Sequence, residues 1–230
     1  MNSVALALEL LKSSLCPRVD LGGLWARNKV AHKWKATYRS LVLREGLAWR
    51  IQDLLAQSLA LHDSQHMLGS RIILRSAFES LAVLIYLNQL TRKVLSGDLT
   101  FHTYADKTAT LLMGSRDKST AHEAINIITV LQKADSRYPG IESLYASLSE
   151  SSHPNYEGVS IGYSDIDREN FVTIFSNKWM NMYGKDHIDL IVLCLEIFTS
   201  EYNDEWTQSF ELLEQWLVKN DEFLETTKRS

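Results

Sequence analysis

The sequence predicts a mainly α-helical (all-α) protein, a helical bundle with a long central helix and one small inserted β-hairpin. Three observations predict this fold class. Apolar side chains recur at three- and four-residue steps over most of the chain, which is the period of one face of a helix. The 230 residues include only three prolines, so long stretches are free to be helical. Between residues 158 and 176 alone, the pattern becomes β-branched and aromatic, as in short strands.

The N-terminal part of the chain is predicted to be helical. Residues 2–15 form a short amphipathic helix that ends before Pro17. Residues 24–63 continue the helical pattern, with a break near Thr37. Within this part, residues 1–37 are expected to be a basic helical extension of the bundle.

The longest predicted helix follows. Ser64 is a suitable N-cap, and Gly97 is a suitable residue just beyond the C-terminal end. Residues 77–87 are apolar on nearly every side. Because a helix that is apolar all round must be buried, we expect this one to lie at the centre of the bundle.

Three shorter helices are predicted next, over residues 100–113, 120–134 and 141–152. Thr120 begins the second of them with a capping box, in which Thr120 and Glu123 satisfy backbone donors at the helix start. Pro154 ends the third, because a proline disfavours helical backbone at the residue before it.

The remaining chain is predicted as a hairpin and then further helices. Residues 158–163 and 170–175 are the expected strands of the 158–176 insertion, with a turn at residues 164–167. Helical periodicity returns in the acidic C-terminal segment, residues 186–226. One apolar stripe there contains Trp206, Phe210, Leu213, Leu217 and Leu224.

The composition excludes several classes of protein. No stretch reaches the roughly 18 consecutive apolar residues of a membrane span, so no membrane partner is expected. The two cysteines, Cys16 and Cys194, form neither a CxxC pair nor a metal knuckle, and no cationic leader precedes the first apolar residues. We therefore expect a cytoplasmic protein. No repeat or linker divides residues 1–230, which predicts a single domain.

Charge is distributed unevenly along the chain, whose net charge is −4. Cations outnumber acids in residues 1–50, whereas acids outnumber cations in residues 185–230. One interpretation is a basic surface for an anionic partner. The other is that the two ends of the chain pack together and neutralise each other.

Three charged residues follow one another at four-residue spacing on the central helix: Arg71, Arg75 and Glu79. This spacing puts them on one stripe, where Arg75 and Glu79 can form an ion pair. Because the neighbouring positions are apolar, the stripe should be largely buried, and buried charges need partners. The stripe is therefore either a structural network or a functional site.

A second group of polar side chains comes where the predicted helix 141–152 ends. His153 can act as a general acid or base near neutral pH, and Asn155 can donate a hydrogen bond to an oxyanion or a phosphate. The alternative is a polar helix terminus in which His153 and Ser149 act as caps.

A third candidate lies in the basic N-terminal segment, where cations alternate with tryptophans. Its polar members are Arg27, Asn28, Lys29, His32 and Lys33. Interleaved cations and indoles suit stacking on bases and contact with the phosphates of RNA. The alternative is an amphipathic helix with a basic outer face and its tryptophans packed inward.

Several common catalytic motifs do not occur in the sequence. It contains no P-loop, GxSxG, GxGxxG or HExxH motif. His62 and His66 have the spacing of a metal-binding pair on one helix face, yet no third ligand is apparent. We therefore predict neither a metal site nor a cofactor.

Two short motifs carry a resemblance to a known family. They are Leu74-Arg75-Ser-Ala-Phe-Glu79 and, after a long helical interval, Leu148-Ser149-Glu-Ser-Ser-His153-Pro154-Asn155. Over residues 40–160, the chain resembles an uncharacterised family of bacterial all-α proteins that is similar to the HEPN superfamily (higher eukaryotes and prokaryotes nucleotide-binding). The resemblance implies a helical bundle that forms a homodimer or binds a partner protein. For many HEPN proteins it also implies metal-independent RNA cleavage in phage defence or toxin–antitoxin systems.

The resemblance suggests roles for four residues. His153 would be the acid or base, Arg75 the clamp on the phosphate, and Glu79 the residue that orients Arg75. Asn155 would donate a hydrogen bond to the substrate.

The chain departs from the HEPN signature in one respect. That signature places an arginine four to six residues before the histidine, and no arginine precedes His153 at this spacing. Either Arg71 or Arg75 supplies the cation from another helix, or the fold is retained without catalysis. Arg27, Asn28 and His32 match the signature in form, so they and the neighbouring lysines make a reserve site for RNA.

Overall fold

The computed structural model describes residues 3–228, which are mainly α-helical, so the predicted fold class is confirmed. The helices are α1 (Ser3–Ser14), α2 (Leu21–Arg27), α3 (Lys29–Lys33), α4 (Lys35–Asp63), α5 (Met67–Ser96), α6 (Phe101–Met113), α7 (Ile127–Asp135), α8 (Ile141–Ser152), α9 (Trp179–Ser200) and α10 (Trp206–Thr226). The strands are β1 (Ser164–Asp167) and β2 (Val172–Phe175), and two π-helical segments span Tyr156–Ile161 and Glu201–Glu205. Residues 1, 2, 229 and 230 of the predicted domain lie outside the described range.

Close approach of backbone atoms groups the chain into two compact units. Unit 1 consists of Met1–Ser14, Arg50–Leu81 and Asp135–Ile197, and unit 2 consists of Leu15–Trp49, Ala82–Ala134 and Phe198–Ser230. Four helices, α4, α5, α7 and α9, each contribute residues to both units. The single domain expected over the whole chain stays a prediction.

The N-terminal helical stretch breaks at two places, and neither is Thr37. The Asn28 side chain accepts hydrogen bonds from two N–H groups at the start of α3, both at 3.0 Å. Trp34 ends α3 in extended backbone. Thr37 itself lies inside α4, and the break predicted near it falls three residues earlier, at Trp34. Asparagine is a strong N-cap, and it starts a new helix where apolar periodicity alone showed none.

Helix α5 begins three residues later than its predicted N-cap. Ser64 belongs to the turn between α4 and α5, in which Gln65 has a φ of 62°. At the other end, Gly97 has a φ of 83°, as expected for a glycine just past a helix. The predicted burial of the helix centre is confirmed, since the following side chains are fully buried: Ala77, Phe78, Leu81, Ala82, Leu84, Ile85 and Leu87.

The capping box predicted at Thr120 is wrong. Its hydroxyl donates to the Met113 carbonyl at 2.5 Å and lies in a loop. Helix α7 starts at Ile127 instead, where the Asn126 side chain accepts the N–H of Ile128 at 3.0 Å. Helices α6 and α8 begin and end within one residue of their predicted bounds.

The insertion contains a hairpin, but its first strand differs from the prediction. The Asn155 side chain accepts the N–H of Gly158 at 2.9 Å and starts a π-helical turn where a strand was expected. A Cβ on residue 158 would lie 2.0 Å from the His153 carbonyl oxygen, so this turn requires glycine. Strand β1 occupies the predicted turn, and it pairs antiparallel with β2.

The C-terminal residues are helical as predicted, although α9 already begins at Trp179. The predicted apolar stripe of α10 is buried, including Trp206, Phe210, Leu213, Leu217 and Leu224. No helix within residues 3–228 has both the length and the apolar character that crossing a membrane requires.

Candidate functional site in unit 1

Arg75 on α5 is bound by side chains from two successive turns of α8. Its Nε donates to Ser149 Oγ at 2.8 Å, and its Nη2 donates to the phenolic oxygen of Tyr145 at 2.5 Å. On its own helix, Arg75 Nη2 lies 3.3 Å from Oε1 of Glu79, so the predicted ion pair forms. We call Arg75, Glu79, Tyr145 and Ser149 the Arg75 cluster.

Tyr145 connects the charged pair of this cluster. Its hydroxyl donates to Glu79 Oε1 at 2.9 Å while it accepts from Arg75. Burial raises the pKa of Tyr145, and the hydrogen bond to Glu79 raises it further. The phenol therefore stays protonated at neutral pH and keeps Glu79 and Arg75 in fixed positions.

One nitrogen of Arg75 is left for a ligand. Nη1 makes no hydrogen bond to any residue in the described part of the chain, and the side chain is 28% exposed. The N–H groups of a guanidinium donate charge-assisted hydrogen bonds to carboxylate or phosphate oxygens. The cluster can thus present a positioned cation to an anion at the surface of unit 1.

Arg71 has a different environment from Arg75. It is only 2% exposed, and its Nε and Nη2 donate to Ser151 Oγ at 2.8 Å and to the Ser147 carbonyl at 3.0 Å. Its guanidinium carbon lies 3.6 Å from the ring centroid of Tyr183. Burial lowers the pKa of Arg71. These contacts leave no surface for a ligand, so Arg71 is part of the structural network and Arg75 is the accessible cation.

His153 lies where α8 ends, as its C-cap residue. Its imidazole is exposed and makes no hydrogen bond to another residue within the described range. It follows Ser149 by four residues, which corresponds to about 6 Å between Cβ atoms along a helix. No hydrogen bond joins His153 and Arg75; Ser149, which accepts from Arg75, precedes His153 by four residues.

Asn155, the fourth residue of the predicted site, is already engaged. Its oxygen caps the π-helical turn by accepting the N–H of Gly158, and its amide donates to the carboxylate of Glu150. These contacts fix the backbone conformation of the residues that follow His153.

The reserve site lies in unit 2, and its cations have acidic partners there. Arg27 Nη2 lies 2.8 Å from Oε2 of Glu214. Lys33 Nζ contacts carboxylate oxygens of Asp221 at 2.5 Å and Glu225 at 3.2 Å. The hydrogen bond to Asp221 raises the pKa of Lys33. Pairing of this kind supports the interpretation that the basic and acidic ends of the chain neutralise each other.

The other members of the reserve site also have local roles or lack partners. Asn28 caps α3 and donates through its amide to the Glu214 carbonyl at 3.4 Å. Lys29 Nζ lies 5.0 Å from the ring centroid of Trp25. His32 is partly exposed, and its side chain makes no hydrogen bond to any residue among 3–228.

A buried histidine that the sequence did not single out also contacts two serines. Nε2 of His187 lies 2.6 Å from Ser70 Oγ and 3.0 Å from Ser58 Oγ. The pair resembles the serine and histidine of a hydrolase, but His187 is only 1% exposed. Burial, with a smaller contribution from His62, lowers the pKa of His187 to about 3. His187 is therefore too weak a base to activate serine at neutral pH, and the group is part of the core.

Sequence reasoning gave Tyr145 no role in the site. A signal was present, because Tyr145, Ser149 and His153 repeat at the same four-residue spacing as the charged stripe of α5. Two stripes of equal spacing can contact each other turn by turn. Among residues 3–228, no group of three or more histidine, cysteine, aspartate or glutamate side chains is arranged to hold a metal ion.

Comparison of the chain with protein-family models, with curated proteins and with solved structures finds no match. The chemistry of the Arg75 cluster and of His153 is therefore the basis for any functional assignment. The likeness to the HEPN superfamily remains a hypothesis that rests on the two motifs containing these residues.

Proposed function

We propose that this protein is a HEPN-like, metal-independent endoribonuclease that uses Arg75 and His153 at the surface of unit 1. One observation carries the proposal. Three protein groups hold the Arg75 guanidinium while Nη1 stays available, and an exposed imidazole without a hydrogen-bond partner follows one helical turn beyond Ser149. A positioned cation and an acid–base group are what phosphodiester cleavage without a metal requires.

Arg75 would bind the scissile phosphate through Nη1. Its contacts to Ser149, Tyr145 and Glu79 fix the guanidinium before the substrate arrives, so little orientation remains to be achieved in the transition state. The positive charge would stabilise the additional negative charge that develops on the phosphorane oxygens. Glu79 and Tyr145 are positioning residues in this scheme.

His153 would accept the proton of the ribose 2′-hydroxyl. The 2′-oxygen then attacks phosphorus, and the bond from phosphorus to the 5′-oxygen breaks. The departing 5′-oxygen takes a proton from water, and His153 returns its own proton to solvent. The products are a 2′,3′-cyclic phosphate and a 5′-hydroxyl end. Asn155 would act indirectly, by holding the backbone after His153 through Gly158 and Glu150.

The test is incubation of the purified protein with tRNA and total RNA in EDTA. His153→Ala and Arg75→Lys should each reduce the cleavage rate by about 10²- to 10⁴-fold, the range for loss of one acid–base or electrostatic group. His66→Ala and Arg168→Lys are matched controls, since both residues are exposed and their side chains make no hydrogen bond within residues 3–228. His32→Ala tests the reserve site in the same assay.

The outcomes separate the alternatives. Cleavage in EDTA that yields 2′,3′-cyclic phosphate ends and disappears with His153→Ala would support the proposal. If His32→Ala abolishes cleavage instead, the activity belongs to the reserve site. No cleavage by the folded protein, or cleavage unchanged by His153→Ala, would overturn the proposal.

A non-catalytic interaction module is the second candidate, and a specific observation favours it. The hairpin in unit 1 exposes large apolar side chains, among them Phe171 and Phe175. Such surfaces on soluble proteins usually contact another macromolecule. If the protein is such a module, it should leave RNA uncleaved, and Arg75→Lys should change only its stability.

A further inference from the structure

The hairpin of unit 1 leaves apolar side chains in solvent. All four residues of β2 are exposed, and Phe171, in the turn that precedes it, is 94% exposed. Phe175 at the end of β2 is 77% exposed. Isolated two-stranded hairpins are at best marginally stable in water and gain stability from further strands or a packing face.

Both faces of the hairpin carry these side chains. In the observed register Ile166 lies opposite Thr173, and both point to the same face as Phe175. Val172 and Ile174 point to the opposite face. Packing of one face against a flat surface would leave the other uncovered, whereas extension of the sheet by further strands would shield side chains on both faces.

The two edges of the sheet differ in charge. Strand β1 carries Asp165 and Asp167, and Lys178 Nζ lies 2.7 Å from the Asp165 carboxylate. Strand β2, with the sequence Val-Thr-Ile-Phe, carries no charge. Charged side chains on an edge strand prevent pairing with another chain, so β1 is protected and β2 is not. Two copies of β1 would also bring aspartates together, whereas two copies of β2 meet without repulsion.

The hydrogen-bond pattern shows which groups of β2 face outward. Ser176 donates its N–H to the Tyr163 carbonyl at 2.9 Å, and alternate residues of an antiparallel ladder face the partner strand. Counting back from Ser176, Ile174 and Val172 face β1. The N–H and C=O groups of Thr173 and Phe175 therefore point to the open edge.

We propose that β2 pairs antiparallel with β2 of a second copy of this chain, with the two-fold axis at Ile174, to form a four-stranded sheet. In this register Thr173 of each copy lies opposite Phe175 of the other, so all four outward-facing groups on each strand form hydrogen bonds. Ile174 lies opposite its own counterpart in a non-hydrogen-bonded pair, with Cα atoms about 4.5 Å apart. The proposal does not depend on ribonuclease activity.

Disulfide trapping tests the register directly. In a Cys16→Ser background, where Cys194 is fully buried, Ile174→Cys should form an intermolecular disulfide under mild oxidation. The expected Cα separation falls at the short end of the range that a disulfide accepts, about 4.4–6.8 Å. Val172→Cys is the matched control, because it lies on the same face but about 13 Å from its counterpart in this register. Ile174→Cys should cross-link at least about tenfold faster, whereas equal rates or no cross-link would overturn the proposal.

Sedimentation tests the interface without oxidation. The wild-type chain should sediment as a dimer at chain concentrations from the micromolar range up to about 100 μM. The Ile174→Asp variant should be monomeric, because two like charges would lie opposite each other. Ile166→Asp, on the protected strand, should remain dimeric, and circular dichroism should show that each variant is folded. A monomeric wild type, or an Ile174→Asp variant that remains dimeric, would refute β2 pairing. The monomeric result would leave an extended peptide of another protein as the occupant.

Discussion

The phenolic oxygen of Tyr145 lies 2.9 Å from Oε1 of Glu79 and donates a hydrogen bond to it. The same oxygen accepts a hydrogen bond from Arg75, so one hydroxyl on α8 fixes both members of an ion pair on α5. The pair is only partly buried, and an ion pair of that kind contributes little by itself. Its importance lies in the direction in which it holds the guanidinium.

Removal of this hydroxyl should cost stability. Tyr145→Phe removes the hydroxyl that donates to Glu79 and accepts from Arg75 Nη2, while Arg75 keeps its contacts to Ser149 and Glu79. We therefore expect unfolding to become easier by about 1 kcal/mol. Urea denaturation measures the change. Tyr156→Phe is the control, because that tyrosine is exposed and its hydroxyl makes no hydrogen bond within residues 3–228. An equal effect of the two substitutions would mean that the Tyr145 hydroxyl has no structural role.

The two arginines of α5 should differ in their contribution to stability. Arg71→Ala removes a buried cation and leaves Ser151 and the Ser147 carbonyl without their donor, so we expect a loss of about 3 kcal/mol. Arg75→Ala removes a partly exposed cation and should cost about 1 kcal/mol. Thermal or urea unfolding of both variants checks the order. Similar losses would contradict the division into a structural and an accessible arginine.

The buried His187 should make stability depend on pH. Its folded-state pKa of about 3 lies below the unfolded value of about 6.5, because burial and, to a smaller extent, the charges of His62 and Arg71 disfavour the cation. The unfolded chain therefore binds more protons below about pH 6.5. The resulting stability is fully present above that pH and is lost as the pH falls toward 3, by at most about 1.4 kcal/mol per pH unit.

The His187→Gln variant isolates this effect. Between pH 6 and pH 4, the free energy of unfolding of the wild type should fall more steeply than that of the variant, by about 1 kcal/mol per pH unit. Other groups titrate equally in both proteins, so the difference between the two curves belongs to residue 187. Parallel curves would show that His187 is not held neutral.

The ion pair between Arg27 and Glu214 should be structural, whatever the reserve site does with RNA. Glu214 is almost fully buried, and burial raises the pKa of its carboxyl while Arg27 opposes that effect. Arg27→Ala leaves this carboxylate without its cation, so we expect a loss of about 2 kcal/mol at pH 7. The loss should shrink at pH 4, where Glu214 without Arg27 takes up a proton.

Lys29→Ala serves as the comparison for Arg27→Ala in urea denaturation. Lys29 is exposed, with its Nζ 5.0 Å from the Trp25 ring centroid, so its removal should change stability by less than about 0.5 kcal/mol. An Arg27→Ala variant as stable as Lys29→Ala would show that the pair with Glu214 contributes nothing.

The sequence by itself determined the features that depend on neighbouring residues. The mainly α class, the bounds of α6 and α8 and the buried centre of α5 follow from helical periodicity and from local signals such as Gly97 and Pro154. The ion pair of Arg75 and Glu79 is local as well, because four residues make one turn. Where local signals competed, prediction failed: the Asn155 cap outweighs the β-branched residues after it, and Asn126 rather than Thr120 begins α7.

Only the tertiary structure decided which distant side chains meet. Tyr145 and Arg75 are 70 residues apart, and Arg27 and Glu214 are 187 apart, so no periodicity could pair them. Because α8 packs beside α5, its serines and Tyr145 accept hydrogen bonds from Arg71 and Arg75. It also separated Arg71, which is buried, from Arg75, which keeps one nitrogen at the surface. Burial and side-chain partners depend on how helices pack, and that information is not contained in any single segment of the chain.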